Sequence, residues 1–324
     1  MNHRIILGKT GISVSRVCFG TWQLSPRFWG EVPASDVKTA VHSAYELGIN
    51  FFDTADAYGD GYGESVLGDA VRDFPRDRVV LTTKVFNHYN PDGTRYPDLS
   101  PGHIVERCEA SLKRLRTDYI DLYLLHFYDQ LTPLATVAET LEKLKSQGKI
   151  RHYGMSNFNI EEMRAAAAFG NFEVLEPAYS LVNLEAEQSL FPYCQARGIG
   201  VMVYSPLHKG LLTGKYKGTE SFSDFRKFHP DFHGERFRLL AEAVQSLAPI
   251  AARYGLSIYQ LVLAATIEHP AVHSAIAGIK TSEQVREAAG AMGKRIDRPD
   301  YFKIRQILNV SAPAKIQDAG GKVK

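Results

Sequence analysis

The sequence predicts an α/β protein, a (β/α)8 TIM barrel with an N-terminal β-hairpin and long loops at the C-terminal face. Two patterns carry that expectation. Eight short apolar or β-branched runs recur along the chain, and each is followed by at least one longer amphipathic segment. No internal repeat, low-complexity linker or break in composition divides the 324 residues, so one domain spanning 1–324 is expected. With 44% hydrophobic and 23% charged residues the chain can bury a core of that size. A doubly wound parallel sheet is the alternative architecture.

The opening "RIILGKTGISVS" alternates around a Gly-Lys-Thr-Gly turn and reads as a β-hairpin. The strand candidates follow at 16–20, 50–54, 79–84, 119–126, 151–156, 173–179, 199–205 and 273–278. Helix candidates lie at 36–48, 64–73, 101–116, 133–147, 159–169, 186–198, 235–254, 257–268 and 282–292. Ser35-Asp36, Ser100-Pro101 and Thr132-Pro133 are helix starts by residue type, and Gly48, Gly148 and Gly198 stand where C-terminal glycines belong. Two stretches, 85–100 and 209–234, read as long loops after strands, which a barrel places at its C-terminal face. The second carries Phe222, Phe225, Phe228 and Phe232, read as packing residues. The tail from about 310 to 324 is expected to be disordered.

A net charge of +2 with no basic run argues against nucleic acid or a membrane surface as partner. Cys18, Cys108 and Cys194 are odd in number and widely spaced, which suits reduced thiols in a cytoplasmic protein. The longest apolar run, "LVLAATI", is too short to span a bilayer.

The most informative stretch is "FFDTADAYGDGYGES", residues 51–65. It offers two readings: a glycine-rich phosphate cradle, or a loop whose glycines present Asp53 and Tyr58. Gly59, Gly61 and Gly63 do not match G-x-G-x-x-G, because Glu64 follows, so backbone geometry is the favoured role for the glycines. Asp53 closes a buried strand and needs a partner. Other strand ends supply Lys84, His126 and the pair Ser156-Asn157. Singly each has a structural explanation: Lys84 as a solvated strand end, Asp53 as a helix cap, His126 as a satisfied core histidine. Jointly, polar groups at several strand ends are how a barrel mouth assembles a site.

In order along the chain, "GTW", "FFDTADAYG", "TTK", "LLH", "GMSNF", "YSPL", "GLLTGKY" and "GIKTSEQ" resemble the aldo-keto reductase superfamily, from the hairpin to about residue 292. "FPY", "HGERF" and "LAPIAARY" look closest to the bacterial branch with inositol-operon reductases. The resemblance implies NADP(H)-linked carbonyl reduction, or its reverse, with Asp53, Tyr58, Lys84 and His126 as the catalytic tetrad. It implies that Ser156 and Asn157 bind the nicotinamide carboxamide beside Glu176, and that Thr21, Trp22 and Asp53 also bind the cofactor. Tyr204 would stack on the ring; Ser205, Leu207 and Lys215 would serve the pyrophosphate, with Arg226 folding over it, and Pro206, Lys209 and Gly210 would also bind the cofactor. Lys280, Thr281, Gln284 and Glu287 would hold the adenosine end, and Gly278 would also bind the cofactor. Trp22, Tyr58, Phe86, Asn87, His126 and Phe127 would meet the substrate, a small-molecule carbonyl or alcohol. A cation at Lys280 favours a 2′-phosphate, hence NADP(H).

These residue types suit the reaction. Hydride addition builds negative charge on a carbonyl oxygen, which needs a proton donor. A free tyrosine has a pKa of about 10. A lysine cation about 4 Å away, at an effective dielectric of about 20, favours the tyrosinate by about 4 kcal/mol, and so a lowered Tyr58 pKa is expected. Asp53 would hold Lys84, and His126 would donate to the carbonyl oxygen.

Two positions depart from the family pattern. Glu176 stands where Gln is usual; ionised, it can only accept hydrogen bonds, and its charge would favour the oxidised cofactor, whereas a buried, protonated Glu176 would act much as Gln does. Ala288 stands where Asn is usual. The segment 87–98, with Asn87, His88, Tyr89, Asn90 and Arg95, is expected to border the mouth and to favour a polar, sugar-like substrate; a solvated loop is the alternative. His229 and His233 have a metal-like spacing, but Pro230 intervenes and no third ligand is evident, so no metal is expected. A cofactor-binding module resembling potassium-channel β-subunits, with little turnover, is the competing function; a metal-dependent barrel hydrolase is a third. Oligomeric state is not legible.

Overall fold

A strand buried on both faces must be covered by helices outside and side chains inside, and the central strands meet that condition. The computed structural model describes residues 3–25, 29–90 and 92–310. All six residues of β5 (Val80–Val85) and of β8 (Ile120–Leu125) are buried. With β3 (Val17–Gly20), β4 (Phe51–Asp53), β9 (Ile150–Ser156), β10 (Val174–Glu176), β11 (Gly200–Tyr204) and β12 (Ser274–Gly278) they form a closed parallel barrel in chain order. Pairing of β12 with β3, Ala275 opposite Val17 through Gly278 opposite Gly20, closes it. The doubly wound alternative is thereby excluded.

The N-terminal hairpin, β1 (Arg4–Ile6) and β2 (Ser13–Ser15), pairs Arg4 with Ser15. Its Leu7 and Val14 are fully buried in a cluster with the inward-facing Cys18, Phe51, Leu122, Leu124, Val174 and Met202, so it plugs the N-terminal end of the barrel. The opposite end stays open. A second, larger cluster fills the space between barrel and outer helices, built from positions such as Val41, Leu67, Ile104, Leu112, Leu141 and Leu263.

Several expectations need correction. The segment 85–100 is not all loop: β6 (Asn87–Tyr89) pairs antiparallel with β7 (Arg95–Pro97). Between them the Asn90 N–H bonds Thr94 O at 2.8 Å, and Asp92 Oδ1 accepts from the Thr94 N–H. The Asp-Gly turn signal was present, but three-residue polar arms carry no strand period. The segment 209–234 holds short 3₁₀ turns at His208–Thr213, Phe225–Phe228 and Pro230–Phe232. Phe222 and Phe232 pack with Leu211, Tyr216 and Phe237 as expected, but Phe228 is 79% exposed. The helix expected over 235–254 breaks into Gly234–Gln245 and Ala248–Arg253, where Pro249 lacks the N–H that a continuous helix would use. The strand expected over 173–179 stops at Glu176, ahead of Pro177. A helix at Arg298–Leu308, beyond the last one read from the sequence, buries Ile304 and Leu308 and is tied down by Arg305 to Glu187 at 2.6 and 2.8 Å. The tail 311–324 lies outside the described residues.

Candidate active site

Four residues from neighbouring elements converge at the open end. Asp53 closes β4, Lys84 lies near the end of β5, and His126 directly follows β8. Tyr58 sits in the turn after β4, before the helix Tyr62–Val71. Charged pairs clamp that turn from behind: Arg107 Nε on Asp56 at 2.9 Å, Arg114 Nε on Glu64 at 2.5 Å, and Thr83 Oγ1 on Glu64 at 2.6 Å. Gly61 has φ +86°, and a Cβ there would come 2.6 Å from the Arg114 side chain, so this glycine shapes the turn and carries no phosphate-cradle geometry.

The fully buried Lys84 ammonium is the hub. It donates to Asp53 Oδ1 at 2.6 Å and to Thr54 O at 3.1 Å, and it reaches Tyr58 Oη at 3.4 Å. Glu176 Oε2 lies 3.2 Å away, off the hydrogen-bonding direction, so that oxygen has an ionic neighbour but no hydrogen-bond partner. One cation thus faces two buried carboxyls. Burial pushes the Glu176 carboxyl well above the ordinary range; Asp53 adds to the rise and Lys84 opposes it. Burial disfavours the Lys84 ammonium, but Asp53 and Glu176 outweigh this and its pKa is raised. The lowered Tyr58 pKa expected from Lys84 is not found. Burial, Asp53 and Glu176 together overcome the lysine, and the phenol is pushed up. Tyr58 therefore stays protonated through neutral pH. Burial first and Lys84 second press His126 down to about 3, so its imidazole is neutral. Its ring meets Tyr58 edge-on at 5.9 Å.

These groups open into a cavity of about 810 Å³. Of the residues singled out by sequence, Trp22, Asp53, Tyr58, Phe86, Asn87, His126, Phe127, Ser156, Asn157 and Glu176 line it. So do Tyr204, Ser205, Pro206, Leu207, Lys209, Gly210, Lys215, Arg226, Gly278, Lys280 and Gln284. Four do not. Lys84 stands behind Tyr58, and Thr21 is fully buried. Thr281 is spent capping the helix Ser282–Ala289. Glu287 accepts from Ser257 through Oε1. Asn157 is already occupied: its amide donates to His126 O at 2.9 Å and Ser156 Oγ at 3.0 Å, while Tyr204 Oη donates to its Oδ1 at 2.6 Å. Ala288 is fully buried in the outer core, a place where an asparagine would need partners.

Sequence reasoning missed Gln23, Trp29, Thr213 and Tyr259, which also line the cavity. No periodicity marks them; Tyr259 belongs to an apolar helix that reads as core. Trp29 packs against Trp22 and Phe225 at 5.4 and 5.1 Å and brings the long loop over the mouth. His233 does not join His229; it precedes the helix Gly234–Gln245, while His229 meets His208 and Asp231.

The cavity wall carries buried polar atoms with no hydrogen-bond partner among the described residues: Gln23 Oε1, Trp29 Nε1, His126 Nδ1, Glu176 Oε2 and Tyr259 Oη. Buried polar atoms are ordinarily paired, so their concentration on one wall fits a polar ligand. Lys209, Lys215, Arg226 and Lys280 line the same cavity, and successive left-handed residues His208, Lys209 and Gly210 curve its backbone wall. Such a cationic, concave wall suits phosphate groups.

Comparison with known proteins agrees with this geometry. The profile of the aldo/keto reductase family matches residues 16–309. The chain belongs to that family. This aldo/keto reductase is 35% identical to the aldo-keto reductase YhdN of Bacillus subtilis over 93% of this chain and 92% of the relative. It is 33% identical to the NADH-specific methylglyoxal reductase of Escherichia coli over 94% and 98% of the two chains. A glycerol dehydrogenase of Gluconobacter oxydans superposes with a TM-score of 0.89 at 28% identity, covering 97% of this chain and 99% of that one. An aldo/keto reductase of Klebsiella pneumoniae, solved with NADP and acetate, superposes at 0.75 with 28% identity over 95% and 96%. As an oxidoreductase of this family it uses a nicotinamide cofactor, and the cavity just described fits one.

Proposed function

We propose that the protein is an NADP(H)-dependent carbonyl reductase that converts a small polar aldehyde or ketone into an alcohol, or the reverse. One arrangement carries the reading: a protonated Tyr58 and a neutral His126 on the cavity wall, with the buried Lys84 ammonium behind Tyr58. A reduced nicotinamide bound in the cavity supplies the hydride. His126 donates a ring N–H to the substrate oxygen and sets its position. Tyr58 passes its phenolic proton to that oxygen as charge develops there. Lys84, 3.4 Å away, then faces a tyrosinate; at an effective dielectric of about 20 that attraction is about 5 kcal/mol, enough to offset much of the cost of a buried phenolate. Asp53 holds the ammonium in place. The test is NADPH oxidation with a panel of small carbonyls; cofactor binding with no turnover on any of them would favour a regulatory module instead.

Preference for NADP(H) rests on Lys280 and Arg226, which flank Trp29 with each cation 5.6 Å from its ring. Burial and the neighbouring Arg226 lower the Lys280 pKa, so an added anion would relieve both effects. Lys280→Ala is expected to raise the KM for NADPH roughly 10- to 100-fold, the worth of a charge-assisted hydrogen bond, and to move the KM for NADH by less than about threefold. Equal changes for both cofactors would remove Lys280 from the 2′-phosphate.

The polar substrate class rests on Asn87 and Arg95, which line the cavity from the hairpin together with the aromatic Trp22, Phe86 and Phe127. Short hydroxyaldehydes and sugars should exceed long apolar aldehydes in kcat/KM by at least about tenfold; the reverse order would sink this assignment. The three cysteines are all buried and free, which supports a reducing, cytoplasmic setting.

A further inference from the structure

Away from the cavity, three side chains with metal-ligand chemistry are brought together by the hairpin and the helix that follows it. His88 lies on β6, Asp98 directly follows β7, and His103 is in the first turns of the helix Pro101–Leu115. His88 Nδ1 and His103 Nδ1 lie 3.7 and 4.0 Å from the same oxygen, Asp98 Oδ2. One ligand atom from each of the three falls within 4.8 Å of the others. Neither separation is a hydrogen bond.

The remaining atoms explain why these three face each other without bonding. His103 Nε2 lies 3.1 Å from Asn87 O, a carbonyl that can only accept, so Nε2 carries the hydrogen and Nδ1 keeps its lone pair. Asp98 Oδ1 accepts from the Ser100 N–H at 2.8 Å, which fixes the carboxylate and leaves Oδ2 free. The His88 ring is stacked on Tyr96 at 4.8 Å. His103 is 6% exposed, so its ring is fixed with Nε2 on Asn87 O and Nδ1 turned to Asp98. The neighbouring Arg107 guanidinium is held on Asp56 at 2.9 Å. Among the described residues, the two histidines are the only ionic partners of Asp98.

We propose that His88, Asp98 and His103 bind a first-row divalent cation, with Zn²⁺ the best fit and water completing the shell. Ligands at about 2.1 Å in a tetrahedron stand about 3.4 Å apart. The two measured edges need to contract only slightly, and the half-exposed His88 can follow. A histidine that donates its second nitrogen to a backbone carbonyl is the usual outer-shell support for such a ligand. The other cluster, His208 with His229 and Asp231, lacks this character: His208 Nε2 already bonds Asp231 at 2.7 Å, and Arg236 claims the other carboxylate oxygen. Since Asn87 both lines the cavity and accepts from His103, a bound cation would pin the hairpin to the helix at the substrate mouth. The proposal is independent of the catalytic reading.

The test is calorimetric titration of chelator-treated, full-length protein with ZnCl₂, with Co²⁺ absorption as a second readout of nitrogen ligation. One equivalent should bind at micromolar Kd or tighter and raise the Tm. Asp98→Asn keeps the bond from Ser100 and should weaken binding at least about tenfold, as should His88→Asn, while His229→Asn leaves it unchanged. Circular dichroism without metal establishes that each variant is folded. Absence of saturable binding up to millimolar Zn²⁺ would overturn the proposal. So would binding unaltered in both Asp98→Asn and His88→Asn, or lost in His229→Asn.

Discussion

Tyr58→Phe should lower kcat for carbonyl reduction by roughly 10²- to 10⁴-fold, the usual worth of a positioned proton donor, while NADPH affinity stays within about threefold. Among protein groups the hydroxyl meets Lys84 Nζ at 3.4 Å, and it anchors nothing else recorded in the site, so its removal should not collapse the wall. The ring keeps its place against His126. Because the phenol is held protonated well past neutrality, reduction by the wild type should show no loss of rate from Tyr58 ionisation between about pH 6 and 9. Cofactor fluorescence quenching measures affinity and single-turnover kinetics measures chemistry. A variant with near-normal kcat would take Tyr58 out of the acid role.

Glu176→Gln should uncouple cofactor choice from pH. In the free protein burial keeps Glu176 protonated above the ordinary carboxyl range. The other titratable groups facing it are Asp53, Lys84, Tyr58, Tyr204 and Cys18. A cationic oxidised nicotinamide near this carboxyl favours its ionised form and so lowers its pKa. The sign follows from linkage. Binding of NADP⁺ releases a proton between the lowered and the free-state pKa, and there the Kd falls as pH rises, by up to about tenfold per pH unit. Above the free-state pKa the dependence vanishes. NADPH, uncharged at the ring, should show little of it. Titration calorimetry in two buffers of different ionisation enthalpy counts the protons. Glu176→Gln should release none and give a flat Kd for NADP⁺; the same slope in variant and wild type would refute the coupling.

How much of this could be read from the chain is clearest at Lys84. Its place after an apolar run put it at a strand end, and the order of motifs joined it to Asp53, Tyr58 and His126. That Lys84 faces two carboxyls could not be read, because Glu176 is 92 positions away and meets it only through barrel closure. The expectation for Tyr58 failed for a related reason: the cation alone favours the tyrosinate, but burial first, then Asp53 and Glu176, outweigh it. Glu287 is a motif position that does not line the cavity and accepts from Ser257 through one oxygen.

By itself the sequence determined the alternation of elements, the barrel, the strand-end residues and the family, since all of these rest on local periodicity and ordered motifs. The pairing of β6 with β7 and the cavity residues Gln23, Trp29 and Tyr259 were decided by tertiary structure. So were the protonation of Tyr58, His126 and Glu176 and the meeting of His88, Asp98 and His103. The physical reason is common to them: burial and the field of distant charges set what a polar group does, and both depend on which segments the closed barrel brings together.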